Sequence, residues 1–289
     1  YIWDEKGNKL LDFTSGWNVA NLGWNHLEIK EAIIKQLERN SYAPMWTMDP
    51  IQEAYANALV ASLPKELCAI GRATGGTEAN EEAIKTAKAY TGRKKILSFR
   101  NTYQGQSQVA LALGFISREE EMKEPAYQNF IKLDFPNVAS QAKAQEQNLE
   151  DFSAALEEIL STCEIAAIVT EAGIVTGAGS VQLAPNGYLK TIRDLTRKYG
   201  TLLILDEVGT GFSRCGKLYG MHLENVIPDI VTFAKGATNG SAVLGTMVTT
   251  EEIAEKTLDL TNLISTFGWT PVACAAALKT LELQNSPEY

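Results

Sequence analysis

Short apolar runs alternating with longer helical patterns constrain this chain more than any other feature. "KKILSF" (94–99), "IAAIVT" (165–170), "TLLILD" (201–206) and "DIVTFA" (229–234) are compact and rich in β-branched residues or leucine. Such runs fit strands buried on both faces of a parallel sheet. Between them lie the helical patterns "LEDFSAALEEILS" (149–161) and "NGYLKTIRDLTRKYG" (186–200). The second sets Leu189, Ile192 and Leu195 on one stripe and ends in Gly200, a favoured residue just past a helix. Strands alternating with helices predict βαβ units and an α/β fold. The 289 residues suffice for one large domain or two modest ones with a sizeable core. Ligands in such sheets sit at the carboxyl ends of strands, where Asp206 closes one run and Lys235 closes another.

Composition removes several function classes. The formal net charge is −9 and no Lys/Arg block stands out, which argues against a nucleic-acid surface. No stretch approaches 18 consecutive apolar residues, so no membrane span is expected. The opening "YIWDEKGNKLLDF" has no basic region followed by an apolar run and does not read as a signal peptide. Cys68, Cys163, Cys215 and Cys274 are far apart, form no C-x-x-C pair and read as reduced thiols of a cytoplasmic protein. His26 and His222 are the only histidines, so a multi-histidine metal site is excluded, no metal is expected, and Ser-His-Asp catalysis is disfavoured.

The two ends read differently from the middle. Residues 1–25 hold two short β-like pieces around the turn "DEKGNK", and residues 26–40 form an amphipathic helical pattern. A helix begins after Pro271, and the chain stops soon afterwards, as though cut through an element.

Four stretches could carry chemistry, and each has an ordinary structural reading beside it. "ATGGTEANEEAIKTAKAYTGR" (73–93) is a glycine turn opening a helix, with Thr77 as the expected N-cap and Gly92 as its end. Backbone N–H groups at such a turn can receive a phosphate, although a tight turn with an ordinary cap has the same sequence. "LILDEVGTGFSR" (203–214) sets Asp206 and Glu207 at a strand end, as solvated loop acids or as a carboxylate awaiting a cation such as a protonated pyridine nitrogen. "NTYQGQS" (101–107) offers Tyr103, either a loop tyrosine or a platform for a flat ring. "DIVTFAKGATNG" (229–240) delivers Lys235 from an apolar strand into a glycine-rich turn, where it either reaches water or is used. A phosphate cradle, an aromatic platform, a strand-end Asp and a strand-end Lys together are what pyridoxal 5′-phosphate requires.

At this point the sequence resembles the class III (subgroup II) aminotransferases, pyridoxal-phosphate enzymes of fold type I. The resemblance runs through "YIWDEKGNKLLDFTSGWNVANLGWNH", "GGTEANEEAIKTAKAYTGRKKI", "LLILDEVGTGFSRCGKLYG", "PDIVTFAKG" and "STFGWTPVACAAAL", five motifs in the family's order. It implies a three-layer α/β/α major domain with a mostly parallel sheet over 46–275, part of a small domain over 1–45, and the start of a connection to a C-terminal small domain over 276–289. It implies that Lys235 forms the Schiff base and shuttles the proton, and that Asp206 pairs with the pyridine nitrogen. Val208 would pack on one ring face and Tyr103 stack on the other. Gly75, Gly76 and Thr77 would hold the phosphate. Thr266 would reach the phosphate of a neighbouring subunit, which makes the expected assembly a homodimer with shared active sites. The implied partners are a small-molecule amino donor and a keto acid or aldehyde acceptor, exchanged by ping-pong transamination.

Several positions depart from the family pattern. Gln104, with Gln106 two further on, stands where a histidine is usual, and Gly209 where a glutamine is usual near the cofactor's phenolic oxygen. "TEAGIVTGAGS" replaces Glu-Pro-x-Gln-Gly, which leaves the role of Glu171 open, and Trp269 replaces a small residue. These positions leave the substrate open. Trp17, Tyr42, Trp46 and Trp269 are candidates to line an aromatic-tolerant pocket or simply to pack the core. Three other readings stand beside transamination: another class III chemistry (aminomutase, racemase or decarboxylating transaminase), a non-catalytic binding protein of the same fold, and a plain nucleotide-binding domain. The last lacks both G-x-G-x-x-G after its first strand and a Walker A motif.

Overall fold

The computed structural model describes residues 1–114, 127–138, 145–177 and 181–289. In chain order its elements are β1 (Ile2–Trp3), β2 (Lys9–Leu10), the single turn α1 (Ser15–Asn18), α2 (Leu27–Leu37), α3 (Pro50–Ser62), β3 (Ala69–Ala73), α4 (Gly76–Thr91) and β4 (Lys95–Phe99). Then follow α5 (Gln108–Leu113), β5 (Phe130–Leu133), α6 (Gln145–Leu160), β6 (Ile165–Glu171), β7 (Ile174–Val175), β8 (Gln182–Leu183), α7 (Tyr188–Tyr199) and β9 (Leu202–Asp206). The chain continues through β10 (Ile230–Phe233), β11 (Gly245–Thr249), α8 (Glu251–Thr261) and α9 (Pro271–Gln284).

Seven strands form the central sheet in the order β3-β11-β10-β9-β6-β4-β5. The four apolar runs of the sequence are its middle: β10, β9, β6 and β4 pair in parallel, with β5 added parallel at one edge. β11 runs antiparallel to both β10 and β3. Side chains alternate across the sheet, as the two-residue period of a strand requires. Leu203 and Leu205 join one apolar cluster with Leu156 of α6, Ile192 of α7 and Leu59 of α3. Leu202 and Ile204 join the other, with Ala83 and Ile84 of α4 and Ile253 of α8. Helices thus cover both faces, and the architecture is the expected three-layer α/β/α sandwich.

Local chemistry sets the element boundaries. α4 and α7 each end in a left-handed glycine, Gly92 (φ 69°) and Gly200 (φ 59°), where a Cβ would be strained. α3 starts with a reciprocal capping box between Asp49 and Gln52, followed by Pro50 at the first helical position. Arg193 of α7 grips Asp229 through both guanidinium nitrogens (2.6 and 2.9 Å), and the same Asp229 carboxylate accepts the Leu203 N–H at 2.7 Å. This half-buried pairing ties the start of β9 to the turn into β10.

One boundary differs from the sequence expectation. Gly75, not Thr77, is the N-cap of α4, and no side chain caps the helix. Thr77 lies inside the first turn. The Gly75 backbone is extended there, and β11 passes so close beneath it that a Cβ on Gly245 would overlap the Gly75 peptide.

Candidate active site

The carboxyl ends of β9 and β10 and the start of α4 converge on a cavity of about 210 Å³. Gly76, Thr77, Tyr103, Val208, Asp206 and Lys235 all line it, as do Asn80, Gln104, Glu171 and Thr176. Six of the eight residues singled out from sequence therefore meet in one place. Gly75 sits one residue behind as the helix cap. Thr266 is exposed and does not line this cavity.

The start of α4 is built to receive an anion. No side chain caps it, so the N–H groups of Gly76, Thr77 and Glu78 find no acceptor among the described residues. Orphan N–H groups and the helix dipole both favour negative charge at that end. Two close approaches shape the cradle. A Cβ on Gly76 would meet both Val208 methyls at 2.9 Å, and one on Gly105 would overlap the Thr77 hydroxyl. Small residues at 76 and 105 thus let the Val208 side chain and the 102–105 loop close around the helix start.

Asp206 is 2% exposed at the end of β9. Its Oδ1 accepts the Val208 N–H at 2.9 Å and its Oδ2 accepts the Asn80 amide at 2.8 Å. Burial pushes its carboxyl above the ordinary range, against the pull of those two donors and of nearby Lys235. A carboxylate so placed lacks a full counter-charge. Lys235 follows β10 in a left-handed backbone conformation (φ 33°), which is strained for a residue with a Cβ. Its amine forms no hydrogen bond or ion pair among the described residues. An amine without a partner beside a buried carboxylate is available for chemistry.

Asn80 was missed by the sequence reading, although it interrupts the apolar stripe of Ala83, Ile84 and Ala87 at helical spacing. Its Nδ2 donates to both Asp206 Oδ2 and the Gln104 carbonyl oxygen (2.9 Å), and its Oδ1 accepts the Thr232 hydroxyl at 2.7 Å. It ties α4, β9, β10 and the Tyr103 loop together at one point. The departures from the family pattern also find physical accounts. Gln104 is buried, accepts the Thr102 hydroxyl at 3.0 Å and leaves its Nε2 without a partner among the described residues. A Cβ on Gly209 would overlap the Thr176 hydroxyl, so the glycine leaves that space to the threonine. Trp269 belongs to the core. It stacks obliquely on Tyr55 at 4.8 Å and donates its indole N–H to Gly245 O at 2.9 Å. Trp17, Tyr42 and Trp46 are exposed, and none of the four aromatics lines the cavity. Of the two readings open for these aromatics, Trp269 takes core packing, while Trp17, Tyr42 and Trp46 are exposed on the chain and lie outside this cavity.

The donor set fits pyridoxal 5′-phosphate: helix N–H groups for a phosphate, a buried carboxylate for a ring cation, an amine for a carbonyl, and buried polar atoms at Gln104 and Glu171, all but the carboxylate without partners among the described residues.

Comparison with known proteins places this geometry. The family model described as aminotransferase class-III matches residues 1–289. An acetylornithine aminotransferase of Methanopyrus kandleri is 33% identical over 99% of the chain and 69% of that relative. A mitochondrial alanine–glyoxylate aminotransferase 2 homologue of Arabidopsis thaliana is 35% identical over 98% of the chain, which spans 58% of that relative. Among solved structures, an (S)-enantioselective omega-transaminase of Thermomicrobium roseum superposes with a TM-score of 0.88 at 37% identity, covering 98% of this chain and 66% of that one. A pyridoxal-phosphate-bound amine transaminase of an uncultivated Pseudomonas species gives a TM-score of 0.92 at 28% identity, with coverage of 99% and 69%. The chain thus spans between 58% and 69% of these relatives. By its motifs, its sheet order and the match along its whole length, the chain belongs to the class-III aminotransferase family.

Proposed function

We propose that this chain carries the cofactor site of a pyridoxal-phosphate-dependent aminotransferase, moving an amino group from an amino acid, ω-amino acid or amine to a keto acid or aldehyde. The observation that carries the reading is the meeting of an unpartnered Lys235 amine, the buried Asp206 carboxylate and the uncapped start of α4 in one cavity. The cofactor, when bound, supplies a carbonyl that accepts the amino group and an electron-withdrawing ring that makes the donor's C–H acidic. The protein's residues do the rest. Lys235 would hold the carbonyl carbon and, once displaced by the donor, carry the proton between donor carbon and cofactor. Asp206 would keep the ring nitrogen protonated. Gly75, Gly76 and Thr77 would hold the phosphate, with Tyr103 and Val208 against the two ring faces.

The same reading includes a homodimer with shared sites. Thr266 stands outside its own cavity, on an exposed stretch with Ile264 and Phe267, and Phe267 packs on Tyr42 at 5.9 Å. Large apolar side chains grouped around Thr266 support a second copy docking there. Residues 1–45, which comprise the exposed β1–β2 hairpin and α2, are assigned to a small domain. The unpaired cysteines support a cytoplasmic location, and no helix among the described residues is long and apolar enough to cross a membrane.

An absorbance spectrum tests the proposal. The protein purified with the cofactor should carry a pH-dependent near-visible band, which an added amino donor shifts and Lys235→Ala removes. Absence of any band in cofactor-saturated buffer would contradict it.

A further inference from the structure

Glu171 is a buried acid that the proposed chemistry does not use. It ends β6 in direct register with Asp206 of β9, is 2% exposed, and lines the same cavity. Its two oxygens differ. Oε2 accepts both the Thr176 N–H and the Thr176 hydroxyl, each at 2.9 Å, while Oε1 is buried with no partner among the described residues. The threonine can sit there only because residue 209 is glycine, since a Cβ at that position would overlap the hydroxyl and lie 3.4 Å from Oε2.

This asymmetry decides where a proton resides. With two donors already on Oε2, a protonated Glu171 carries its hydrogen on Oε1. Burial and the adjacent Asp206 charge push the Glu171 carboxyl up to about 8, the Thr176 hydrogen bonds and Lys235 pulling the other way. The charged or titratable groups that face it are Asp206 after β9, Lys235 after β10, Tyr188 of α7 and Cys215. With that proton in place, Oε1 presents a buried O–H with no acceptor among the described residues, an arrangement that is costly unless a ligand completes it.

The order of strands says which ligand atom completes it. In pyridoxal phosphate the phosphate-bearing carbon and the hydroxyl-bearing carbon lie on opposite edges of the ring, flanking the carbonyl-bearing carbon. The start of α4 follows β3, at one end of the strand series β3-β11-β10-β9-β6. Lys235 follows β10, Asp206 ends β9, and Glu171 ends β6 on the far side from β3. A ring held with its phosphate at α4, its carbonyl carbon at Lys235 and its nitrogen at Asp206 would turn its hydroxyl edge toward β6. We infer that Glu171, oriented by Thr176 in the space left by Gly209, is a further cofactor-contacting residue whose carboxyl donates a hydrogen bond to the ring oxygen. The inference rests on the pyridoxal-phosphate reading above.

A hydrogen bond to that oxygen draws off negative charge and weakens its hold on the proton it shares with the lysine-linked nitrogen. Losing the donor must then raise the pH midpoint of the cofactor's near-visible absorbance change. The test is that titration on the cofactor-loaded protein, for wild type, Glu171→Ala, Glu171→Gln and Thr176→Val, together with cofactor affinity from equilibrium binding. Glu171→Ala should raise the midpoint by about one pH unit and weaken cofactor binding about tenfold. Glu171→Gln retains a neutral donor and should stay close to wild type, while Thr176→Val should move part of the way. Equal midpoints in wild type and Glu171→Ala, or equal shifts in the Ala and Gln variants, would overturn the inference. Should Glu171→Ala fail to fold, the Thr176→Val midpoint decides: a rise supports the contact, and no change overturns it. A wild-type protein that takes up no cofactor contradicts the pyridoxal-phosphate reading itself, a result separate from these.

Discussion

Replacing Asn80 by alanine probes how the site is held together. The substitution removes the amide that donates to Asp206 Oδ2 at 2.8 Å and to the Gln104 carbonyl at 2.9 Å, and the oxygen that accepts the Thr232 hydroxyl at 2.7 Å. One of these bonds is to a carboxylate and two are between neutral groups. Hydrogen bonds to charged groups contribute about 1.5–3 kcal/mol and neutral ones about 0.5–1.5, so the loss is roughly 2.5–6 kcal/mol before water enters the gap. For a chain of 289 residues that lowers the melting temperature by roughly 4–10 °C. The chemistry should suffer as well, because Asp206 loses one of the groups that hold its buried carboxylate ionised. Asn80→Asp sharpens the test. It keeps the volume but sets a second carboxylate against Asp206, and two acids so close cannot both ionise. Its destabilisation relative to wild type should therefore grow as pH rises. Calorimetry of the cofactor-free protein, with cofactor binding measured alongside, checks both. If Asn80→Ala melts within about a degree of wild type and binds cofactor equally well, the claim that Asn80 clamps Asp206 is wrong.

Three further outcomes follow from the same structure. Gly245→Ala drives a Cβ into the Gly75 peptide, so it should cost roughly 1–3 kcal/mol in a denaturant titration and weaken phosphate-dependent cofactor binding. Glu171 supplies a pH dependence: its folded-state value, about 8, lies above its ordinary 4.5, so its contribution to stability is complete below pH 4.5 and is withdrawn as pH rises toward 8. Melting curves of the cofactor-free Glu171→Gln variant should therefore decline less steeply across that window than wild type, while Glu82, pushed up to about 7 by burial and Glu78, maintains part of the slope in both. Thr266→Ala should lower cofactor affinity roughly tenfold if its hydroxyl reaches a partner's phosphate. Mixing Thr266→Ala with Lys235→Ala subunits should then restore activity, up to half per mixed dimer, and no recovery under demonstrated subunit exchange would rule out the shared site.

Much of this arrangement is readable before any coordinates, for physical reasons that vary by element. The four central strands are visible because both their faces are buried, which demands unbroken apolar runs such as Ile165–Thr170. The ends of α4 and α7 are visible because only glycine sits easily at their left-handed caps. β11, Gly245–Thr249, is hidden because its glycine and threonines answer to neighbours far away in sequence: Gly245 to the Gly75 peptide, and Thr249 to the Asp229 carbonyl through its hydroxyl. α3 carries its own start signal in Asp49, Pro50 and Gln52, but its apolar positions mark no clear stripe beyond it. At the site, Lys235 and Asp206 declare themselves as charges on apolar strands. Asn80 and Thr176 do not, and Gly209 stands out only as a departure from the family pattern, because their meaning is mutual: each is ordinary until the fold sets it against Asp206, Glu171 or the other. The aromatic residues carry no such signature: Trp46 and Trp17, exposed at 80% and 61%, read in sequence just as the buried Trp269 does, because a large apolar side chain suits a core, a pocket or a surface alike.

The central claim is that Lys235 is the residue that holds the cofactor. Borohydride reduction of the cofactor-loaded protein fixes that bond, and proteolysis with mass mapping of the peptides then locates it. The account predicts a single modified peptide spanning "DIVTFAKGATNG", with the added mass on Lys235. A modification on Lys217 or Lys190 instead, or none on Lys235 in protein that has taken up cofactor, would contradict it.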